Sequence, residues 1–183
     1  MTDYYQRVID EQGALKKLAA KIPGFSGYVE RADRRSSDKI LRDTVANHFE
    51  TLWQQISEIQ RSLLAKGEIE LMDDFEAAAL KMRQFIDRIK NAAYGYAGFF
   101  DPIKVKGEEL AAIYEYDLSF LKLEDEIKNT IDRVQTSLEG DTLPTIIQEL
   151  VTLVQNCLDT FDKRKEAILS ISSNEIVKDD SAK

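Results

Sequence analysis

The segment Met72–Ala93, "MDDFEAAALKMRQFIDRIKNAA", decides the fold class. Its residues Met72, Phe75, Ala79, Met82, Ile86, Ile89 and Ala93 alternate steps of three and four along the whole run. That spacing puts side chains on one face of an α-helix. The run holds no proline or glycine to interrupt it. Just upstream a second stripe reads Leu41, Val45, His48, Leu52, Ile56, Ile59 and Leu63. This helix is expected from about Tyr28 to Lys66, where Gly67 offers a C-terminal stop. The connector to Met72 is so short that the two helices should form an antiparallel hairpin.

The same periodicity extends outward in both directions. A first helix is expected over Thr2–Ala20, closed by a Pro23-Gly24 corner. A fourth starts near Gly107-Glu108 and reaches about Glu139, with the stripe Leu110, Ile113, Asp117, Phe120, Glu124, Ile127, Ile131, Val134 and Leu138. After the break "EGDTLP", a fifth covers Leu143–Ser170 through Ile146, Leu150, Leu153, Cys157, Phe161 and Ile168. Pro144 is tolerable in its first turn, where the missing N–H would be unpaired anyway. The expectation is all-α: an antiparallel, coiled-coil-like bundle of about five helices, with helices 2 and 3 as its long hairpin. Residues 1–170 form one domain, and the polar stretch 171–183 is a flexible tail.

Composition narrows the function classes. The 183 residues carry a net charge of −8. Such a surface repels nucleic acid and anionic lipid at long range. No nucleic-acid partner is expected, and a membrane surface is disfavoured. No apolar run approaches the roughly 18–20 residues that span a bilayer, and "MTDYYQRVIDEQG" lacks the order of a signal peptide. The single Cys157 excludes an internal disulfide framework and suits a reducing cytoplasm.

Catalytic constellations are hard to build from these residues. A di-iron carboxylate bundle needs two Glu-x-x-His motifs. The one histidine, His48, has Val45 three residues before it. Zinc wants four ligands, and Cys157 and His48 alone do not supply them. A Cys–His nucleophile pair would require those two to meet, although both lie on core stripes, where a structural role is commoner. The glycines of "PGFSGY" and "YGYAG" have neither phosphate-loop nor dinucleotide spacing. No catalytic residue, metal or cofactor is expected.

Charges on apolar stripes are the stronger signal. Asp117 and Glu124 face inward, and a buried carboxylate costs several kcal/mol unless it is paired. Arg31, Arg34, Arg35 and Arg42 line the start of helix 2. An ion-pair network between helices 2 and 4 is the structural expectation, with Tyr114 and Tyr116 near it. The functional alternative is an anion or partner site on the Arg31, Arg34, Arg35 cluster. Two glycine-aromatic loops flank these charges: Pro23, Gly24, Phe25, Gly27 and Tyr28, then Tyr94, Gly95, Tyr96, Gly98, Phe99, Phe100 and Asp101. They read most simply as a cap over one bundle end, or, if the phenylalanines are exposed, as a protein-binding patch. His48 reads as a hydrogen-bonded core histidine or a pH-sensitive packing residue, and Trp53 as either core or dimer contact.

Together, "IPGFSGYVERADRRSSDKILR" (Ile22–Arg42), "YGYAGFFD" (Tyr94–Asp101) and "YEYD" (Tyr114–Asp117) resemble a group of uncharacterised bacterial and archaeal helical proteins. Their pattern is I-P-G-[YF]-x-G-Y-x-x-[KR]-x-x-R-R-x-x-D-K-x-[LV]-R, followed by Y-G-Y-x-G-F-F-D and Y-E-[YF]-D. The resemblance implies an all-helical fold and no established activity. It also implies that Arg34, Arg35, Asp38, Asp117 and the two loops belong to one shared feature. The expected function is a non-catalytic cytoplasmic scaffold or adaptor that binds another protein or itself. The alternatives are a peripheral membrane protein of stress response or membrane maintenance, and an anion or small-molecule binder.

Overall fold

The computed structural model describes residues 13–28, 30–67, 70–92, 107–138 and 141–180. Five helices occur among them: α1 over 13–21, α2 Arg31–Lys66, α3 Met72–Asn91, α4 Gly107–Thr136 and α5 Leu143–Asp180. No strand occurs among the described residues.

Local chemistry sets the helix ends. Gly67 sits at φ 80°, the left-handed geometry that closes a helix, and its N–H turns back to the Leu63 and Leu64 carbonyls. Asp73 and Asp74 open α3 while Arg88 and Lys90 close it, each with the sign that suits the helix dipole. α2 begins at Arg31, three residues later than the stripe suggests. The reason lies before it, where Gly24 and Gly27 take φ values of 82° and 91° that break helical geometry. α5 runs on to Asp180, ten residues past the expected end at Ser170, and Ile171 is still buried. No proline or glycine follows Pro144 to stop it.

The four long helices form a bundle in which α2 packs on α3 and α4, and α5 packs on α3 and α4. Side-chain pairs give the directions. Arg42 reaches the Ile89 and Lys90 carbonyls and Glu50, further along α2, reaches Arg83, so α2 and α3 are antiparallel. Asp117 meets Arg164 and Glu149 meets Arg133, so α4 and α5 are antiparallel too. Lys81–Gln155 and Arg88–Asp162 keep a constant offset, which makes α3 and α5 parallel neighbours. α3 and α4 therefore occupy opposite corners. One end of the bundle gathers the start of α2, the end of α3, the start of α4 and the second half of α5.

The stripes form the core as expected over most of their length, and the exceptions are informative. Leu41, Val45, Leu52, Ile56, Ile59 and Leu63 of α2 are buried, whereas His48 is half-buried. Phe85 stands outside the three-four series in α3, yet it is fully buried and central. Its ring lies 4.7 Å from Phe49, 5.5 Å from Phe120 and 6.5 Å from Phe161. One phenylalanine from each long helix thus meets in a single layer across the bundle. Burying such a ring stabilises by roughly 1.5–3 kcal/mol from its apolar area.

Candidate functional site

The corner at 22–28 begins where α1 ends on the Ile22 N–H to Leu18 carbonyl bond, 2.8 Å. Ile22, Phe25 and Tyr28 turn inward and are buried, while Pro23 and Gly24 stay at the surface. Gly27 is required on two counts: its positive φ, and a side-chain position that would lie 2.8 Å from both Leu15 Cδ1 and the Tyr114 hydroxyl. The close approach lets the Tyr28 N–H donate to that hydroxyl at 2.7 Å. The rings of Tyr28 and Tyr114 stack at 5.3 Å, with Phe25 edge-on to both.

Beneath the stacked rings lies a buried charge network. The Tyr28 hydroxyl donates to Asp117 Oδ2 at 2.8 Å. Arg164 Nε donates to Asp117 Oδ1 at 2.6 Å, and its Nη2 reaches Asp38 Oδ1 at 3.0 Å and the Tyr28 hydroxyl at 3.2 Å. Asp38 is held on its other oxygen by Arg42 Nε at 2.7 Å. Arg42 Nη1 then donates to the Ile89 and Lys90 carbonyls, at 3.2 and 3.0 Å. Those carbonyls belong to the last turn of α3, where intrahelical donors have run out. Arg34 Nε donates to the Tyr28 carbonyl at 2.8 Å. Asp38 and Asp117 are wholly excluded from solvent, and Arg164 is 1% exposed. Each carboxylate oxygen has a donor, the condition under which charges can be kept in a dry interior.

Electrostatics follow from that burial. Desolvation pushes the Asp117 carboxyl above the ordinary carboxylate range, against the downward pull of Arg164 and the Tyr28 hydroxyl. Desolvation, then the charge of Asp117, pushes the Tyr28 phenol well above its usual value, so it stays a donor at neutral pH. The α2 face explains why this end is polar and the shaft is not. Arg34, Asp38 and Arg42 stand one turn apart, and beyond Arg42 the α2 stripe is apolar from Val45 onward save for His48.

The pairing expected from sequence is corrected in three respects. The cation on Asp117 comes from α5, as Arg164, and not from the α2 arginines. Glu124 pairs instead with His48, Oε2 to Nδ1 at 2.9 Å, in a half-buried clasp between α4 and α2. The cause is distance: Glu124 stands two turns, about 10 Å, beyond Asp117, past the Phe120 layer. Arg35 is exposed. The side chain of Arg31 lies outside the described residues, as do Tyr94, Gly95, Tyr96, Gly98, Phe99, Phe100 and Asp101. Tyr116 is half-buried, while Tyr114 joins the cap directly. Arg164 escaped the apolar count, but the signal was present. Phe161 and Ile168 are seven apart, and Arg164 fills the missing step at three plus four.

His48 and Cys157 are engaged separately. Cys157 Sγ contacts the Leu153 carbonyl at 3.4 Å, and burial pushes its thiol far up, away from nucleophilic use. Among the described residues no group of three or more His, Cys, Asp or Glu is arranged to hold a metal ion. No helix of the described residues is long and apolar enough to cross a membrane.

The shaft carries a second feature away from this end. A groove between α2 and α3 is lined by Trp53, Arg61, Leu64, Met72, Glu76 and Leu80, among others. Leu64 is 54% exposed and Leu80 62%. The Arg83 guanidinium lies over the Trp53 ring, 5.1 Å from its centroid, and so holds one end of the groove. No protein-family model, curated protein or solved structure matches the chain.

Proposed function

We propose that the chain is a non-catalytic cytoplasmic scaffold whose α2–α3 hairpin presents a protein-docking groove. The exposed Leu64 and Leu80 beside Trp53 carry this reading, since large apolar side chains that share one groove mark a surface meant to be covered. The buried network supports it from the other end. Directional ion pairs hold α2, α4 and α5 in one vertical register, and Arg42 fastens α3 to the same frame. A groove between two helices keeps its shape only if the helices cannot slide.

An anion-binding reading draws less support. Arg34 donates its Nε to a main-chain carbonyl, and Arg42 is directed at Asp38 and the end of α3. Affinity capture from lysate of the native cell tests the docking face, with wild-type and Leu80→Glu baits of equal melting temperature. Proteins retained by the wild type and lost from the variant are the expected outcome. Equal retention by both baits overturns the reading.

A further inference from the structure

We propose that the occupant of the α2–α3 groove is a second copy of the same chain, related by a two-fold axis that sets the hairpins antiparallel. The inference rests on the docking groove described above and adds its partner. Heights along the hairpin follow from the Arg83–Glu50 bond at 2.7 Å. In an antiparallel pair, a residue three further along α2 stands level with one three earlier in α3. Trp53 is therefore level with Leu80, and Arg61 with Met72. Glu76 stands one turn from Arg61, toward the Trp53 end.

The groove thus has apolar groups near both ends, Trp53 with Leu80 at one and Leu64 at the other. Two opposite charges, Glu76 and Arg61, lie between them. A two-fold axis through its middle carries the Trp53–Leu80 end of one copy onto Leu64 of the other. The same operation brings Arg61 level with the second copy's Glu76, diagonally across the groove, twice per dimer, as a self-complementary interface requires. Both charges are available for this. Arg61 makes only a 3.3 Å bond from Nε to the Ser57 carbonyl, and Glu76 takes part in no ion pair among the described residues. The antiparallel arrangement therefore lays apolar end on apolar end and brings opposite charges level twice. The net charge of −8 opposes association in general. The contact is also shorter than the whole hairpin, so a dissociation constant of roughly micromolar order is expected.

Sedimentation of the purified chain from about 1 to 500 µM tests the proposal. The expected result is a mass that climbs with concentration from 20.9 kDa toward twice that value. Leu80→Glu, at a position open to solvent, should keep the wild-type helical signal and melting temperature yet stay monomeric. Arg61→Glu and Glu76→Arg should each be monomeric alone. Mixed in equal amounts they should associate, because each variant then meets its opposite charge in both contacts. A wild type that stays monomeric throughout, a dimer indifferent to Leu80→Glu, or a mixture no better than its components overturns the second copy as occupant. If that happens while the Leu80→Glu bait still loses captured proteins, the docking groove stands and its partner is another protein. If capture is also unchanged, both readings fail.

Discussion

Arg164→Met gives the sharpest test of the buried network. The substitution keeps a long flexible side chain but removes the cation shared by Asp38, Asp117 and the Tyr28 hydroxyl. Two carboxylates with no solvent access then lose a donor each. Breaking a buried pair from one side costs about 3–5 kcal/mol, a large part of the roughly 5–15 kcal/mol that holds a domain together. With a urea slope near 2 kcal/mol per molar, the midpoint should fall by about 2 M at neutral pH. The pH dependence carries a definite sign. Burial already raises Asp117 above its unfolded value, and removing Arg164 takes away its largest downward pull. Between those two values the folded state holds more protons than the unfolded state, so stability declines as pH rises through that interval. The deficit of the variant should be greatest at neutral pH and shrink as pH approaches the ordinary carboxylate range. Urea titrations of both proteins at pH 7 and pH 5 measure it, and groups remote from Arg164 cancel in the difference. A loss below about 1 kcal/mol, or one equal at both pH values, would refute the reasoning. Adding Asp117→Asn to the variant should recover part of the loss, since the two positions act as a unit.

Further expectations follow from single contacts. Gly27→Ala should lower the melting temperature more than Gly67→Ala: both have positive φ, but only Gly27 meets Leu15 and Tyr114, and the difference should reach about 1–3 kcal/mol. Phe85→Ala should cost about 3–5 kcal/mol by chemical denaturation, because three other rings lose their common neighbour. The hydrogen bond from Arg83, then that from Lys90, holds Glu50 below the usual glutamate range. Its contribution is complete above the unfolded glutamate value and is lost as pH falls through the lower folded one; Glu50→Gln should remove that slope while changing neutral stability by under about 1 kcal/mol. Cys157 should react with a thiol reagent at the rate of unfolding, and immediately in denaturant.

The parts of the fold legible in the sequence are those governed by local repetition. The stripes of α2 and α3, Gly67 and the Pro23–Gly27 corner all act within a few residues of themselves. Long-range partners obey no such local rule. Asp117 shows that something cationic must face it, but four arginines at the start of α2 were nearer candidates in type and number than one on α5. Counting apolar residues alone hid Arg164, because a charged side chain on a core stripe looks like a gap. Phe85 was missed for a related reason: a helix at a bundle's interior corner buries more than one narrow stripe. His48 and Glu124 sat on stripes too, yet both lie where the seam between α2 and α4 opens to water.

The phenylalanine layer divides the molecule into two lengths with different freedoms. Below it, ionic contacts of fixed direction tie every helix to a neighbour at one height. Above it, three-four apolar stripes repeat, and the ion pairs Arg133–Glu149 and His48–Glu124 lie on their more exposed flanks. A matched insertion of seven residues in each of the four long helices, placed beyond Phe49, Phe85, Phe120 and Phe161, would extend the shaft without moving the charged end.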